Sequence, residues 1–378
     1  MTEKESALYS HYIIDGVRCD ATPAELLGEC LEFPDQEVAG GFADIIDESP
    51  DPPVTSFTYD CGLNGHYAEQ ASVAAVKERP FRMLYPQHFT QLQIAKALLS
   101  RLWSKGHFRL GDLRLWAQWD WNTRPIGSMA AFYASAETAS DYLYGLGVKM
   151  TDYVFIESDT ECNVKFFAWL PEYEDEEIQE MELTEPYESR HPWIDDERLC
   201  SRTVIPVEES RIIYIPFDTC GFKLGGSLLA QIHGHNGGPA PQIQDPDYFI
   251  DCYEVIRELV EDRIIISGTT VADGGIAAAA SSLCGEHGME IDVSGLLASY
   301  QPTDSTRILF SEIPGVLVQV AEDNYDYFDS QLLLQDVAYY PVGRHIPGKK
   351  GVRFAEGADR EVAGILASLL AQASEGED

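Results

Sequence analysis

The chain has 378 residues, of which 45% are hydrophobic and 24% charged, so it can bury the cores of two domains and is unlike a disordered polypeptide. Its formal net charge of −37 argues against non-specific binding to nucleic acid or to an anionic membrane, because such binding depends on Lys and Arg. No apolar run reaches the roughly 18 residues of a membrane-spanning helix, and the first residues lack a signal-peptide core, so we expect a cytoplasmic protein. The eight cysteines are scattered without a C-x-x-C pair, which predicts free thiols.

The first 215 residues predict helices and strands without the regular alternation of a doubly wound sheet, which favours an α+β fold. Thr22 is a suitable N-cap for a helix over residues 22–31. Helical spacing of apolar residues predicts a second helix over residues 88–106, with Gly106 as its C-cap. A third, Ala-rich helix is predicted over residues 128–147, strands over residues 10–19, 152–158 and 162–170, a pair of strands over 203–217, and a linker over 47–56.

The C-terminal half begins with a Gly-rich segment, residues 220–246, which leads into an amphipathic helix over residues 245–262. The phrase TTVADGGIAAAAS at residues 269–281 follows the apolar run RIIISG, so a buried strand is expected to end there and a small-residue helix to begin. Glycines at such a junction permit positive φ and let another backbone or a phosphate approach closely. Further strands are predicted over residues 263–268, 289–293, 307–311 and 315–321, and a terminal helix over 361–373.

Four phrases of this half stand in one order, namely LGGSLLAQIHG (224–234), DPDYFIDCYEVIRELVED (245–262), ADGGIAAAASSLCGEHGMEIDV (272–293) and ILFSEIPGVLVQV (308–320). Together they resemble the C-terminal domain of the aminoimidazole-ribonucleotide (AIR) synthetase superfamily. The resemblance is greatest to the second half of formylglycinamide ribonucleotide amidotransferase, also called phosphoribosylformylglycinamidine synthase. A weaker resemblance extends back to Gln91.

The resemblance implies a superfamily N-terminal α/β domain, which forms half of a shared dimer barrel, and a C-terminal α/β sandwich-like domain. The expected organisation is an N-terminal extension and linker (1–60), a degenerate N-terminal AIR-synthetase-like domain (61–215) and a C-terminal AIR-synthetase-like domain (216–378). In this superfamily the nucleotide lies between the N- and C-terminal domains.

The chemistry implied is ATP-dependent attack of ammonia on an activated amide oxygen, with ATP or ADP and magnesium as cofactors. Two alternatives stay open for the matching positions. The segment Lys223–Gln231 either presents backbone amides and the Ser227 hydroxyl to a phosphate or is a tight turn into a packed helix. Glu312 is either catalytic or a structural hydrogen-bonding residue. Residue by residue, the resemblance assigns nucleotide binding to Gly225, Gly226, Ser227, Asp273, Gly274 and Gly275, and magnesium binding to Asp273 and Glu312.

Two departures from the superfamily pattern predict a loss of catalysis. The family has His-Asp-x-Ser immediately before its Asp-Gly-Gly, whereas this chain has Thr269–Ala272, which contains neither His nor Asp. The family also has a Gly-Lys-Asp-Ser phrase that binds phosphate and metal, and the corresponding residues here are approximately Tyr153–Ile156. An apolar strand cannot supply an ammonium and a carboxylate to a phosphate. We therefore assign no catalytic residue.

Two functional hypotheses follow. The first is a phosphoribosylformylglycinamidine synthase-related protein of purine biosynthesis, catalytically eroded, which acts as a dimerising scaffold or regulatory subunit, with or without nucleotide binding. The alternative is an active ATP- and Mg-dependent ligase or cyclo-ligase acting on a purine-precursor ribonucleotide, in which acids near Glu157 help Asp273 and Glu312 to hold magnesium. The expected partners are a second copy of the chain and, because no glutaminase nucleophile is present, a glutaminase or other purine-pathway subunit. Nucleic acid and membrane are not expected partners.

Other conspicuous residues have structural interpretations. His233 and His235 have the spacing of metal ligands, but no Cys or acid lies at a fitting distance in the sequence, so we expect polar turn residues. Trp116, Trp119 and Trp121 are expected in a core or an interface rather than stacked on a ligand.

Overall fold

The computed structural model of the protein describes residues 6–33, 42–50, 57–171, 198–207, 209–300 and 303–355. Three β-sheets with helices packed against them make up these ranges, so the predicted α+β class is confirmed. None of the helices in these ranges is both long and apolar enough to cross a bilayer. All eight cysteines are free, as predicted.

The elements follow one another in mixed order along the chain. The strands are β1 (Tyr12–Ile14), β2 (Val17–Arg18), β3 (Ile45–Asp47), β4 (Arg114–Trp121), β5 (Lys149–Glu157), β6 (Asn163–Trp169), β7 (Ser210–Pro216), β8 (Ile265–Val271), β9 (Gly288–Ile291), β10 (Gly315–Ala321), β11 (Tyr340–His345) and β12 (Gly351–Phe354). The helices are α1 (Ser6–Tyr9), α2 (Pro23–Gly28), α3 (Asn64–Ala75), α4 (Pro86–Arg101), α5 (Ser128–Leu146), α6 (Leu228–Ile232), α7 (Pro246–Glu261), α8 (Gly275–Cys284), α9 (Ser294–Ser299), α10 (Ser305–Phe310) and α11 (Tyr325–Leu334).

The largest sheet has the strand order β12-β9-β11-β7-β10-β8 and is antiparallel except for the parallel pair β12 and β9. Its central strands β7 and β10 are mostly apolar, which is typical of strands buried on both faces. Side chains alternate between the faces, because Ile213 and Ile215 join the core that contains α7, whereas Ile212 and Tyr214 join the core that contains α8. This sheet is therefore the middle layer between two hydrophobic cores.

A second sheet, β5-β4-β6, forms a wall of the first core. Trp119 and Trp121 of β4 are fully buried, and their indole N–H groups donate to Ser135 Oγ (3.0 Å) and to the Ser128 carbonyl (2.9 Å) of α5. Trp116 lies on the opposite face of the sheet, in a small buried cluster with another tryptophan of β6. The prediction that these tryptophans pack in the core is confirmed.

Two helix caps lie in the residues before 60: one caps a local helix, α2, and the other caps the distant helix α5. Thr22 is the N-cap of α2 in a capping box with Glu25, as predicted. Asp47, at the end of β3, has a carboxylate that accepts hydrogen bonds of 2.9 to 3.1 Å from the first backbone amides of α5, those of Gly127, Met129 and Ala130. A carboxylate at this end of a helix is favoured by the free amides and by the helix dipole.

Most of the predicted elements are confirmed. The predicted strand over 263–268 is β8, which continues to Val271 and ends one residue before the Asp-Gly-Gly. The expected junction of a buried strand and a small-residue helix is therefore present. The domain boundaries stay predictions; β7 lies mainly before the boundary at residue 216 and is central to the large sheet. Residues 51–56 of the predicted linker and the predicted helix over 361–373 lie outside the described residues.

The helix predicted over residues 88–106 is α4, and it ends earlier than expected. Gly106 has a positive φ but lies beyond the end, so the prediction that it is the C-cap is wrong. The carbonyls of Leu102 and Ser104 instead accept hydrogen bonds of 2.8 and 2.6 Å from the buried guanidinium of Arg257. A side chain of α7 therefore satisfies carbonyls that follow the helix, which no local signal could predict.

Two predicted strands are also wrong. Residues 307–311, RILFS, belong largely to helix α10, whose N-cap is Asp304; an apolar run this short does not distinguish a strand from a buried helix. Of the pair predicted over 203–217, only β7 forms in the described residues. The backbone of Ile205 is bound instead by the side chain of Gln319, which accepts from its N–H and donates to its carbonyl, both at 2.8 Å.

We predict that Arg257→Met lowers the free energy of unfolding by about 3 kcal/mol, because it leaves buried carbonyls without their donor. The Arg257 side chain is fully buried, and it also donates to the carbonyl of His107. Urea denaturation would measure the loss. Arg344→Met is the matched control: the Arg344 side chain is 73% exposed beside Glu290, so its removal should change stability by less than about 0.5 kcal/mol. Equal losses in the two variants would contradict the structural role of Arg257.

Candidate functional site

Arg79, in the segment between α3 and α4, is the centre of a buried polar cluster. Its Nη1 lies 2.7 Å from Asp273 Oδ1 and 2.8 Å from Glu312 Oε2, so one guanidinium bridges the two carboxylates that we predicted to bind magnesium. Lys96 of α4 binds the other oxygen of Asp273, with Nζ 2.6 Å from Oδ2. We call these four residues, Arg79, Lys96, Asp273 and Glu312, the Arg79 cluster.

Glu312 also occupies an anion position made by backbone amides. Its Oε1 accepts hydrogen bonds from the N–H of Leu228, the first residue of α6, and from that of Gly274, the N-cap of α8, both at 2.8 Å. Helix starts of this kind favour a negative charge. The chain thus places its own carboxylate on two amides that belong to the predicted nucleotide-binding segments.

The glycines of those segments are explained by close contact with the protein itself. A Cβ on Gly225 would lie 2.3 Å from the carbonyl oxygen of Gly238, and one on Gly226 would lie 2.8 Å from the ring of Tyr85. Ser227 is the N-cap of α6, because its Oγ accepts the N–H of Ala230 at 3.3 Å. These contacts support the tight-turn alternative for Gly225–Ser227, and the nucleotide-binding role of these residues stays a prediction.

Gly274 and Gly275, at the start of α8, both have positive φ. A Cβ on Gly275 would lie 2.7 Å from the carbonyl oxygens of Leu309 and Ser311, and one on Gly274 would lie 2.7 Å from Ala278 Cβ. The close approach permitted by this Asp-Gly-Gly is therefore made by the backbone around the end of α10. Nucleotide binding by Gly274 and Gly275 also stays a prediction.

The charges of the Arg79 cluster affect the two carboxyl groups in opposite directions. Burial raises the pKa of Glu312, although Arg79 opposes the rise. Burial also acts to raise the pKa of Asp273, but Lys96 and Arg79 outweigh it, so that pKa is lowered. A magnesium ion at these carboxylates would have to displace a guanidinium that both already bind. Within the described residues no three His, Cys, Asp or Glu side chains are placed to share a metal ion, and the magnesium assignment of Asp273 and Glu312 stays a prediction.

The paired histidines are polar turn residues in the structure. His235 Nδ1 accepts the N–H of Gly237 at 3.1 Å, so this nitrogen carries no proton and Nε2–H donates to Tyr59 Oη, 2.9 Å away. His233 packs edge-on against the ring of Tyr67. Both ring nitrogens of His235 are therefore in use, as expected of a turn residue.

A larger cleft than the one beside Asp273 lies elsewhere in the described structure. It has a volume of about 760 Å³ and lies between the starts of α4 and α7, the middle of α5 and the loop at residues 238–246. None of the predicted nucleotide- or metal-binding residues lines it. Asp273 and Lys96 border a smaller groove of about 450 Å³ between α3 and α8.

Sequence reasoning missed Arg79, Lys96 and Asp47. Each binds a partner remote in the sequence; Arg79 and Asp273, for example, are 194 residues apart. No motif surrounds them, and the only available signal was that an ion-pair partner would be needed if Asp273 and Glu312 were buried.

Comparison with known proteins supports the resemblance found in the sequence. Residues 211–355 match the family described as AIR synthase related protein, C-terminal domain. A probable chloroplastic or mitochondrial phosphoribosylformylglycinamidine synthase of Arabidopsis thaliana is 20% identical over 289 residues, which cover 71% of this chain and 18% of the relative. The human phosphoribosylformylglycinamidine synthase is 27% identical over 119 residues, which cover 31% of this chain and 8% of the relative. The solved structure of T. maritima PurL complexed with FGAR aligns with 69% of this chain and 39% of its own, at 12% identity and a TM-score of 0.49.

Residues 211–355 contain almost all of β7, the strands β8 to β12, and the two carboxylates of the Arg79 cluster, Asp273 and Glu312. These residues are therefore an AIR synthase related C-terminal domain. The chain is a relative of the phosphoribosylformylglycinamidine synthases of purine biosynthesis, and the predicted superfamily is confirmed. It spans less than a fifth of the length of the Arabidopsis thaliana and human synthases described above.

We predict that Gly275→Ala lowers the free energy of unfolding by about 2–4 kcal/mol, because an added Cβ meets two carbonyl oxygens at a positive φ. Chemical denaturation would measure it. Gly295→Ala in α9 is the matched control, since a Cβ there has no neighbour within 4 Å and the helix propensity of Ala is higher. A Gly275→Ala protein as stable as wild type would contradict the packing explanation.

We predict that His88 makes stability fall as the pH is lowered from about 6.5 toward 4. Burial is the main cause that lowers its pKa to about 4, and its Nε2–H donates to the Glu312 carbonyl at 2.9 Å. Between the two pKa values the unfolded chain binds a proton that the native state does not, at about 1.4 kcal/mol per pH unit. His88→Gln, which retains a donor, should therefore show a weaker decline in unfolding free energy than wild type. The exposed His66→Gln should follow wild type; parallel curves for wild type and His88→Gln would contradict the prediction.

Proposed function

We propose that this chain is a catalytically eroded relative of phosphoribosylformylglycinamidine synthase that acts in purine biosynthesis as a scaffold or regulatory subunit. The observation that carries the proposal is the position of Arg79, whose guanidinium bridges Asp273 and Glu312 at 2.7 and 2.8 Å. A magnesium–nucleotide complex bound there would have to replace an internal ion pair, and breaking a buried pair costs about 3–5 kcal/mol.

Two further anion positions are filled by carboxylates of the chain. Glu312 accepts from the amides of Leu228 and Gly274, and Asp47 accepts from the first amides of α5. A phosphate at either helix start would compete with a covalently attached carboxylate at close range. The segments that depart from the superfamily pattern are regular strand, because Thr269 to Val271 belong to β8 and Tyr153 to Ile156 belong to β5.

The state of assembly is part of this proposal. By analogy with the superfamily we propose that the chain forms a homodimer in the cytoplasm, or pairs with a glutaminase or another purine-pathway subunit. We also propose the division at residues 60 and 215 as the domain organisation. Light scattering of the purified protein after gel filtration would establish whether it is a dimer.

We predict no ADP release above the enzyme-free rate when the protein is mixed with Mg–ATP, formylglycinamide ribonucleotide and ammonia. Supplying ammonia directly removes the need for a glutaminase partner, so the assay tests the synthase chemistry alone. An active phosphoribosylformylglycinamidine synthase run in parallel is the positive control. Turnover by this chain would contradict the proposal and support the alternative, an ATP-dependent ligase.

A thermal-shift measurement separates nucleotide binding from catalysis. Mg–ATP or Mg–ADP at about 100 times its Kd would stabilise the protein by about 2.7 kcal/mol, whereas the closed Arg79 cluster predicts no shift at millimolar nucleotide. A shift without turnover would support a scaffold that binds ATP or ADP.

A further inference from the structure

The 760 Å³ cleft between α4, α5 and the loop at residues 238–246 has the size of a small-molecule site and does not overlap the Arg79 cluster. The size and lining of this cleft do not depend on whether the Arg79 cluster supports catalysis. Two of its walls come from the first half of the chain and one from the AIR synthase related domain, so a ligand there would contact both.

The loop that forms one wall is held in place by hydrogen bonds at both ends. Tyr85 Oη donates to the carbonyls of Asn236 and Gly238 at 3.0 and 2.6 Å. At the other end, the buried carboxylate of Asp218 accepts the N–H groups of residues 244 and 245 at 2.9 and 3.1 Å. Gln91 Nε2 donates to the carbonyl of Ile243 at 3.1 Å. The cleft is therefore preformed, and binding a ligand does not have to include the entropic cost of ordering this loop.

The charges that line the cleft nearly cancel. It has one lysine, Lys223, and one aspartate, Asp141. His88 also lines it, and burial lowers the pKa of that imidazole to about 4, so it is neutral at pH 7. A triphosphate carries several negative charges and is normally bound by clustered cations and a metal ion. This lining offers a single cation for that purpose, which disfavours a phosphorylated ligand.

The polar groups that remain are neutral and suited to reading a hydrogen-bonding edge. Four glutamines line the cleft, of which Gln91 already donates to the Ile243 carbonyl. A primary amide presents both donors and an acceptor. Between them lie flat or ring-shaped surfaces, because Pro239, Pro241, Tyr85 and Tyr142 are also in the lining. Such surfaces pack well against a planar ring. The four glutamines are Gln87, Gln91, Gln242 and Gln244.

Tyr142 of α5 has an unsatisfied polar group. Its side chain is buried, and its Oη has no hydrogen-bond partner among the described residues. Burial, with the charge of Asp218, raises the pKa of this hydroxyl, so it stays protonated. A buried donor without an acceptor destabilises a protein, so a ligand acceptor that reached this hydroxyl would be favoured.

We propose that this cleft binds an uncharged, planar heterocycle carrying hydrogen-bond donors and acceptors, with a nucleoside as the matching chemical class. The glutamine amides would contact the edge of the base, the proline and tyrosine surfaces would contact its faces, and Tyr142 Oη would donate to a ligand acceptor. In the regulatory role proposed above, the same site would sense an unphosphorylated nucleoside.

The test is calorimetric titration of the full chain with adenosine, inosine, guanosine and uridine, each compared with its 5′-monophosphate, at physiological salt. We expect at least one nucleoside to bind with a Kd below about 1 mM, and its monophosphate to bind no more tightly. The proposal is overturned if none of the four binds below about 5 mM, or if a monophosphate binds at least about tenfold more tightly than its nucleoside.

Variants locate the binding in the cleft. Tyr142→Phe removes only the unsatisfied hydroxyl, so the ligand-free protein should melt at the same or a higher temperature while nucleoside affinity falls about tenfold. Gln242→Met should weaken binding without unfolding the chain, because that side chain is exposed. Tyr144→Phe, on the same helix but 80% exposed and outside the cleft, is the control and should bind as wild type. Unchanged affinity in both cleft variants would overturn the proposal, whatever the result of the ADP-release assay.

Discussion

The ion pairs of Arg79 connect the segment before α4 to two carboxylates of the C-terminal half of the chain. The guanidinium is buried between Asp273 and Glu312, two carboxylates that would otherwise be desolvated without a partner. Through Asp273 it binds the junction between β8 and α8, through Glu312 the segment before β10, and through the Gly226 carbonyl the turn before α6. The position of the segment before α4 therefore depends on the same charges that determine what this site can bind.

A second feature is that carboxylates of the protein itself bind the free backbone amides at the starts of three helices. Glu312 binds the amides before α8 and at the start of α6, and Asp47 binds the first amides of α5. Similarly, Gly225 and Gly275 are required by close backbone contacts within the protein. The glycines of the strand-to-helix junction are therefore explained by packing within the protein, independently of any phosphate.

The two candidate sites differ in their electrostatics. The Arg79 cluster contains two cations and two carboxylates that satisfy one another, so its polar groups have partners already. The cleft beside α5 is nearly neutral and contains one buried hydroxyl, that of Tyr142, without such a partner. The proposed ligand recognition in the cleft does not depend on chemistry at the Arg79 cluster, because the loop that forms one wall of the cleft is fixed by Tyr85, Gln91 and Asp218.

The sequence by itself determined the elements whose signals are local and periodic. The apolar stripe of α7, the Thr22 cap, the alanine-rich run of α5 and the apolar run of β10 are all signals that act within a few residues. The phrases that identified the superfamily are local in the same way. Only the tertiary structure decided the short run at 307–311, the carbonyls after α4, and which charges surround Asp273 and Glu312. Those outcomes depend on burial and on partners such as Arg79 and Arg257, which lie more than a hundred residues away, and pairing at such distances has no periodic trace in the chain.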